Sequence, residues 1–221
     1  MKREFLFYFG AIVALFLLLL AWLFSTPEAI ARFAAPEYLK TETTVVKVIL
    51  KNGHGSAVAI DKDTYLTAAH VARDGDAVTL KFADGRTCKA TALWSSKAYD
   101  VALMRSEKCE GAQPATLSCR SLAKGEEIHI IGSPQIADNI DSWGRVSSDK
   151  REIGPWKEAQ YADVSVAGGN SGGPVFDKNG EVVGIVVGGL LAQLGFSTTG
   201  TGWGIIVPSQ TICGLLARGE P

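Results

Sequence analysis

Residues Gly168 to Val187 read GGNSGGPVFDKNGEVVGIVV. One serine, Ser171, stands among four glycines, and the chain then turns straight into apolar residues. Glycine serves where the backbone must bend sharply or where another atom must come close. The core of the stretch, GNSGG, fits G-x-S-x-G, the turn that presents a nucleophilic serine between strand and helix in α/β-hydrolases. That architecture needs a helix after the serine and a histidine further along. Neither is present. After Ser171 the chain reads as two apolar runs, GPVFD and EVVGIVV, around the turn KNG, which is a β-hairpin pattern. The three histidines, His54, His70 and His129, all precede Ser171. An Asp–His–Ser order is available with Asp61 or Asp63, but it belongs to an α/β fold whose serine opens a helix. Ser171 therefore sits in a β-rich chain.

The rest of the sequence agrees. From Thr43 onward, short apolar runs alternate with turn residues: TVVKVIL, SAVAI, LTAAHV, AVTLKF, TCKATALW, YDVALMR, EEIHIIG, DSWGRVSS, QYADVSV and GWGIIVP. Runs at this spacing, punctuated by Gly, Asn and Asp, indicate an all-β barrel or sandwich. Helical periodicity appears only at the end, where Ser209 is placed to cap QTICGLLARG. The segment STTGTG reads as a loop.

The order that remains is His, Asp, Ser. His70 closes YLTAAH, Asp100 precedes VALMR, and Ser171 lies in the glycine turn. TAAHV, YDVALMR, IIGSP with SWGRVSS, GNSGGPVF and GWGIIVPS together resemble the chymotrypsin-like serine proteases, and within them the HtrA-like branch. The resemblance runs through most of residues 43–212. It implies a double six-stranded β-barrel with a short C-terminal helix and a catalytic triad of His70, Asp100 and Ser171. It also implies endopeptidase activity through an acyl-enzyme on protein or peptide substrates. Asp163 matches an acidic position with an architectural role.

The chemistry of these residue types supports that reading. A serine hydroxyl is a poor nucleophile until a base takes its proton. An imidazole, with an ordinary pKa of about 6.5, is available as that base near neutral pH. A carboxylate holds the imidazole tautomer and stabilises the imidazolium that forms. The backbone N–H groups of Gly169 and Ser171, two residues apart in a tight turn, are placed to bind a developing oxyanion. His54 reads as a loop residue near the site. His129, alternating with Ile128 and Ile130, reads as structural. In the resembled enzymes the residue six before the nucleophile lines the base of the primary pocket. Here that residue is Ser165, with walls from 186–189 and 202–204, notably Val187, Gly188 and Trp203. None of these is acidic, so a small or medium apolar residue is expected before the cleaved bond. Two other readings keep the fold and change the function: a peptide-binding or scaffolding module without turnover, and an esterase or acyl transferase on the same triad.

Charge and composition bound the partners. The formal net charge is −1 over 221 residues, which offers no general electrostatic case for nucleic acid. Phe5 to Phe24 is a run of twenty residues without a charge, about the length that spans a bilayer core. It exceeds the apolar stretch of a cleaved signal peptide, although Ala29-Ile30-Ala31 resembles a cleavage site. Residues 1–24 therefore read as a membrane anchor and 25–42 as a linker to a protease domain at 43–221. Lys2 and Arg3 before the span place the N-terminus in the cytoplasm and the domain outside. The chain leaves about 50 residues after Ser171, too few for a PDZ domain, so any regulatory partner or oligomer is left open. Cys88, Cys109, Cys119 and Cys213 permit two disulfides. Cys109 with Cys119 and Cys88 with Cys109 are both plausible pairs. No zinc spacing is present, and neither metal nor cofactor is expected.

Overall fold

The computed structural model describes residues 41–107, 112–194 and 196–219, together with positions 13, 15–17 and 19. The expected anchor, apart from those five positions, and nearly all of the linker lie outside the described residues. Among the described residues no helix is long and apolar enough to cross a membrane. The chain divides into two compact units, Met1–Leu39 and Lys40–Pro221. All the strands described here belong to the second.

After a single 3-10 turn at Glu42–Thr44, six strands follow. They are β1 (Val45–Leu50), β2 (Gly53–Ala59), β3 (Thr64–Thr67), β4 (Ala77–Lys81), β5 (Thr87–Ser96) and β6 (Val101–Ser106). They close into a barrel in the order β1-β2-β3-β6-β5-β4, with β4 returning to β1 through Lys47↔Lys81 and Val48↔Leu80. Alternate residues fill the interior, as a closed small barrel requires. Val46, Val48, Val58, Leu66, Leu80 and Met104 are completely buried there.

The second set is β7 (Glu127–Gly132), β8 (Ile140–Val146), β9 (Arg151–Ile153), β10 (Trp156–Asp163), β11 (Pro174–Phe176), β12 (Val182–Leu194) and β13 (Ser197–Pro208). The order β13-β12-β11-β7-β8-β10 closes on itself because β10 also pairs with β13, through Gln160↔Ile206 and Tyr161↔Ile205. β9 hangs on β10 outside that ring. Closure leaves neither barrel a long free edge. One apolar cluster joins residues of both barrels, among them Tyr65, Met104, Ile131, Phe176 and Ile185. A second cluster, with Ile128, Ile130, Val175 and Ile206, lies within the second barrel. Helix α1 (Ser209–Arg218) buries Ile212 and Leu215 in the joint cluster. Two six-stranded barrels with a C-terminal helix are the architecture that the resemblance implied.

Three expectations need correction. Ser209 does not cap α1. Pro208 is the capping residue, and the Ser209 hydroxyl instead donates to the Ser118 carbonyl, tying the helix to the segment before β7. STTGTG is not a loop. It forms the start of β13 and pairs with the end of β12 from Leu194↔Ser197 to Leu191↔Gly200. Cys119 does not pair with Cys109. It is bonded to Cys213 on α1, with Cα atoms 5.7 Å apart, and Cys88 is also in a disulfide. Only the folded chain brings α1 over the segment that carries Cys119.

Candidate active site

His70 lies just past β3, and Asp100 sits in the turn between β5 and β6. The backbone of Asp100 has φ +57°, a left-handed conformation that Asp tolerates better than most residues. The turn aims its carboxyl group at His70. Asp100 Oδ1 accepts the His70 backbone N–H at 2.9 Å, and Oδ2 lies 2.7 Å from His70 Nδ1. Asp100 is buried, whereas nearly half of the His70 side chain is exposed. The pair thus presents the other ring nitrogen toward solvent-accessible space with the Nδ1 side fixed. A third donor reaches the same carboxylate: Trp156 Nε1–H donates to Asp100 Oδ2 at 3.0 Å.

Ser171 comes from the other barrel, in the turn between β10 and β11. Its carbonyl accepts the Ser56 N–H at 2.8 Å. A Cβ placed on Gly55 would meet both Val71, the neighbour of His70, at 2.7 Å and the Ser171 carbonyl at 3.1 Å. The His70–Val71 turn and the Ser171 turn therefore meet over β2, and only glycine at position 55 allows that approach.

The backbone donors of this turn divide sharply. The N–H groups of Asn170, Gly172 and Gly173 donate to the carbonyls of Ala167 (3.0 Å), Val186 (2.7 Å) and Asn170 (2.9 Å). Among the described residues, those of Gly168, Gly169 and Ser171 meet no acceptor. The Gly168 carbonyl accepts the Gln135 N–H at 2.8 Å. In a trans peptide the C=O and the following N–H point opposite ways, so the Gly169 N–H is turned away from Gln135. The Gly169 carbonyl is held in turn by the Ser56 hydroxyl at 2.7 Å. Gly169 has φ +106°, and a Cβ there would lie 2.2 Å from the Ser133 carbonyl and 2.5 Å from His54 Nε2. His54 itself bonds the Ser133 carbonyl at 2.9 Å. The loop histidine thus lies against the turn, beside the expected oxyanion donors.

Around the expected pocket the placement is mixed. Ser165 is exposed, and its N–H donates to Ser142 Oγ at 3.0 Å. Val187 is buried in the joint core cluster. Gly188 faces the Trp156 ring, and Trp203 is half-exposed beside Tyr161. Val166 lies over the paired glycines Gly189 and Gly204 of β12 and β13, with Val164 beside it against Gly204. A Cβ on Gly189 would meet Val166 Cγ2 at 2.7 Å, and one on Gly204 would meet Val166 Cγ1 at 3.0 Å. His129 is buried, bonds Asp141 at 3.0 Å and stacks on Trp143 at 4.3 Å. Asp163 is exposed at the end of β10, paired with Arg145 of β8. Ser56, Gln135, Trp156 and Val166 were not singled out from the sequence. Their partners are distant along the chain, and no local pattern marks them. Among the described residues no cluster of His, Cys, Asp and Glu is arranged to hold a metal.

Comparison with known proteins agrees with this architecture. The model of the trypsin-like peptidase domain matches residues 55–185, and the chain belongs to that family. A probable periplasmic serine endoprotease, DegP-like, from Pseudomonas fulva is 34% identical over 134 residues, covering 59% of this chain and 28% of that protein. The anti-sigma-I factor RsgI9 of Acetivibrio thermocellus is 30% identical over 176 residues, covering 76% of this chain and 25% of that protein. The chain thus spans about a quarter of the length of the curated relatives it matches. Among solved structures, the Rv3671c protease in an inactive form has a TM-score of 0.70 at 23% identity, covering 83% of this chain and 92% of that one. The HtrA-type protease AlgW with a tripeptide has a TM-score of 0.71 at 21% identity, covering 84% of this chain and 64% of that one.

Proposed function

We propose that this chain is a serine endopeptidase working through His70, Asp100 and Ser171. Ser171 Oγ attacks the scissile carbonyl while His70 Nε2 takes its proton. Asp100 keeps Nδ1 protonated and stabilises the imidazolium. The tetrahedral oxyanion is bound by the N–H groups of Gly169 and Ser171. His70 then returns the proton to the leaving amine, and water releases the acyl group by the same steps in reverse. The observation that carries this reading is the pair of backbone donors left without acceptors on either side of Asn170, while the N–H groups of Asn170, Gly172 and Gly173 are all bonded. Donors fixed before the reaction need no reorganisation when charge develops. The DegP-like names among the relatives point the same way.

The substrates are protein segments extended enough to enter the cleft, with a small apolar residue before the cleaved bond. Val166 lies over the paired Gly189 and Gly204 and leaves little depth for a longer side chain. Residues 1–24 anchor the chain in a membrane, 25–42 form the linker, and the protease domain from 43 onward works outside the cytoplasm. The uncharged run from Phe5 to Phe24, the Cys119–Cys213 disulfide and the word periplasmic in the relatives' names support that placement.

The test is labelling of the full chain in detergent with a fluorophosphonate, mapped by mass spectrometry, alongside turnover of unfolded casein. Modification at Ser171 and casein cleavage, both lost in Ser171→Ala, are expected. A folded wild-type chain that neither labels nor cleaves would favour a binding module instead.

A further inference from the structure

We infer that Trp156 is a positioning residue of the reaction centre, an indole donor from the second barrel that fixes the Asp100 carboxylate of the first. The inference rests on the triad reading above. Asp100 is buried, and a buried carboxylate is stable only with donors on its oxygens. Both of its oxygens are occupied. The His70 backbone N–H holds Oδ1; His70 Nδ1 and Trp156 Nε1 converge on Oδ2 at 2.7 and 3.0 Å. Carboxyl groups rotate easily about their last torsion. With the two His70 contacts alone, the plane of the carboxylate would be fixed only by the residue it is meant to orient. The indole supplies a reference from outside the pair. It is a donor and never an acceptor, so it also keeps Oδ2 in the acceptor state that His70 Nδ1–H requires. A hydroxyl in its place would rotate and serve either role.

The indole is itself held firmly. The Lys157 N–H donates to the Ala98 carbonyl at 3.0 Å, and the Lys157 ammonium lies 5.9 Å from the centre of the Tyr99 ring. The start of β10 is therefore stitched to the turn that carries Asp100. On its other side the ring packs against β12, where a Cβ on Gly188 would come within 3.0 Å of Cη2. Glycine at 188 is what lets the indole lie flat enough to reach Asp100. The ring thus spans from the strand expected to line the substrate cleft to the acid of the triad, and it crosses between the two barrels.

The decisive experiment deletes one atom group and keeps the shape. In the full chain in detergent, Trp156 is replaced by its benzothiophene isostere, which has sulfur where the indole has N–H; Trp156→Phe is made beside it. Losing a hydrogen bond to a charged group predicts a fall in kcat of about tenfold or more, with KM within about twofold, in a chain that still unfolds in one cooperative transition. A second readout needs no turnover. The Trp156 indole N–H resonance should lie downfield of the other four tryptophans and move upfield in Asp100→Asn. The His70 Nδ1–H signal should broaden in the isostere through faster exchange. An isostere that unfolds cooperatively, keeps kcat within twofold and leaves the His70 signal sharp would overturn the inference, as would an indole resonance indifferent to Asp100→Asn. If the wild-type chain proves catalytically silent, the protease reading fails, yet the two resonances still decide whether the indole holds Asp100.

Discussion

Two glycines of the serine turn carry constraints of different kinds from an ordinary turn glycine. Gly169 needs both its left-handed φ and the absence of a side chain, because a Cβ would strike the Ser133 carbonyl and the His54 ring. Gly172, at φ +81°, would drive a Cβ to 2.1 Å from Thr67 Oγ1 and 2.3 Å from the Ser56 carbonyl. Gly169→Ala must therefore displace the peptide proposed to supply one oxyanion donor. Its acylation rate should fall by about 100- to 1,000-fold, the usual effect of losing one such donor, as read by stopped-flow acylation with an activated ester. Gly75→Ala is the control. Gly75 also has a left-handed φ, of +79°, but nothing lies near its missing side chain, so the variant should lose about 1 kcal/mol of stability and keep the wild-type acylation rate. Val166→Ala tests the pocket. Removing its methyls from over the paired Gly189 and Gly204 should move the preferred residue before the cut from alanine or valine toward leucine, by about tenfold or more in relative kcat/KM. A peptide library profiled with both proteins reads that shift. The sequence made the need for glycine visible at 169 and 172. It could not say what crowds them, because Ser133, His54, Thr67 and Ser56 come from other strands.

The loop between β7 and β8 holds the peptide that carries the proposed Gly169 donor, since Gln135 N–H binds the Gly168 carbonyl. Asp138 of this loop is clamped to the first barrel by Lys47 of β1 and Lys81 of β4, each at 2.7 Å. The Lys47 hydrogen bond, and then that of Lys81, hold the Asp138 carboxyl below its ordinary value. A depressed carboxyl stabilises the fold at pH values above its unfolded pKa of about 3.9, and the contribution disappears as pH falls through the lower folded value. Asp138→Asn should thus be less stable than wild type at pH 7, and the two melting curves should converge below about pH 4. The three groups are partly exposed and screened, so the gap at pH 7 should be at most about 1 kcal/mol, or about 2–4 °C. Added salt should narrow it. Melting temperatures across pH 3–7 at two salt concentrations check all three statements. Strands were the most legible elements, because period-2 burial is written locally in runs such as TVVKVIL and EEIHIIG. Element ends were less so. Ser209 looked like a cap, but its hydroxyl found the Ser118 carbonyl 91 residues away. STTGTG looked like a loop because glycine and threonine alternate there without an apolar face, yet the ladder with β12 continues through it.

At the scale of the molecule, the candidate site is a product of closure. His70 and Asp100 belong to the first barrel, Ser171, Gly169 and Trp156 to the second, and the pieces meet only because both sheets close and one apolar cluster joins them. The order His, Asp, Ser in the sequence was enough to propose the three side chains. Ser56 between two loops and Trp156 on Asp100 are cross-barrel contacts, Gln135 on Gly168 joins two loops of the second barrel, and none of the three had a sequence signature. The same limit applied to the cysteines, whose number suggested disulfides while their pairing depended on where α1 lands. That pairing has a measurable consequence. The Cys119–Cys213 bond closes a loop with a sequence separation of 94, which encloses the whole second barrel except the end of α1. Beside it, Leu117 bridges Val182, and the Thr116 and Val182 backbones bond at 2.8 Å. Removing the crosslink should therefore loosen the second barrel by enlarging its unfolded ensemble, at a cost of about 2–5 kcal/mol, while leaving the folded site intact. The double variant Cys119→Ser, Cys213→Ser should unfold at lower denaturant with fluorophosphonate labelling at Ser171 unchanged at 25 °C. Hydrogen exchange should report the lost protection mainly in β7–β13 and little in β1–β6. Equal loss in both barrels would mean that they unfold as one unit, and that the shared apolar cluster, more than the crosslink, governs the stability of the seam where the site lies.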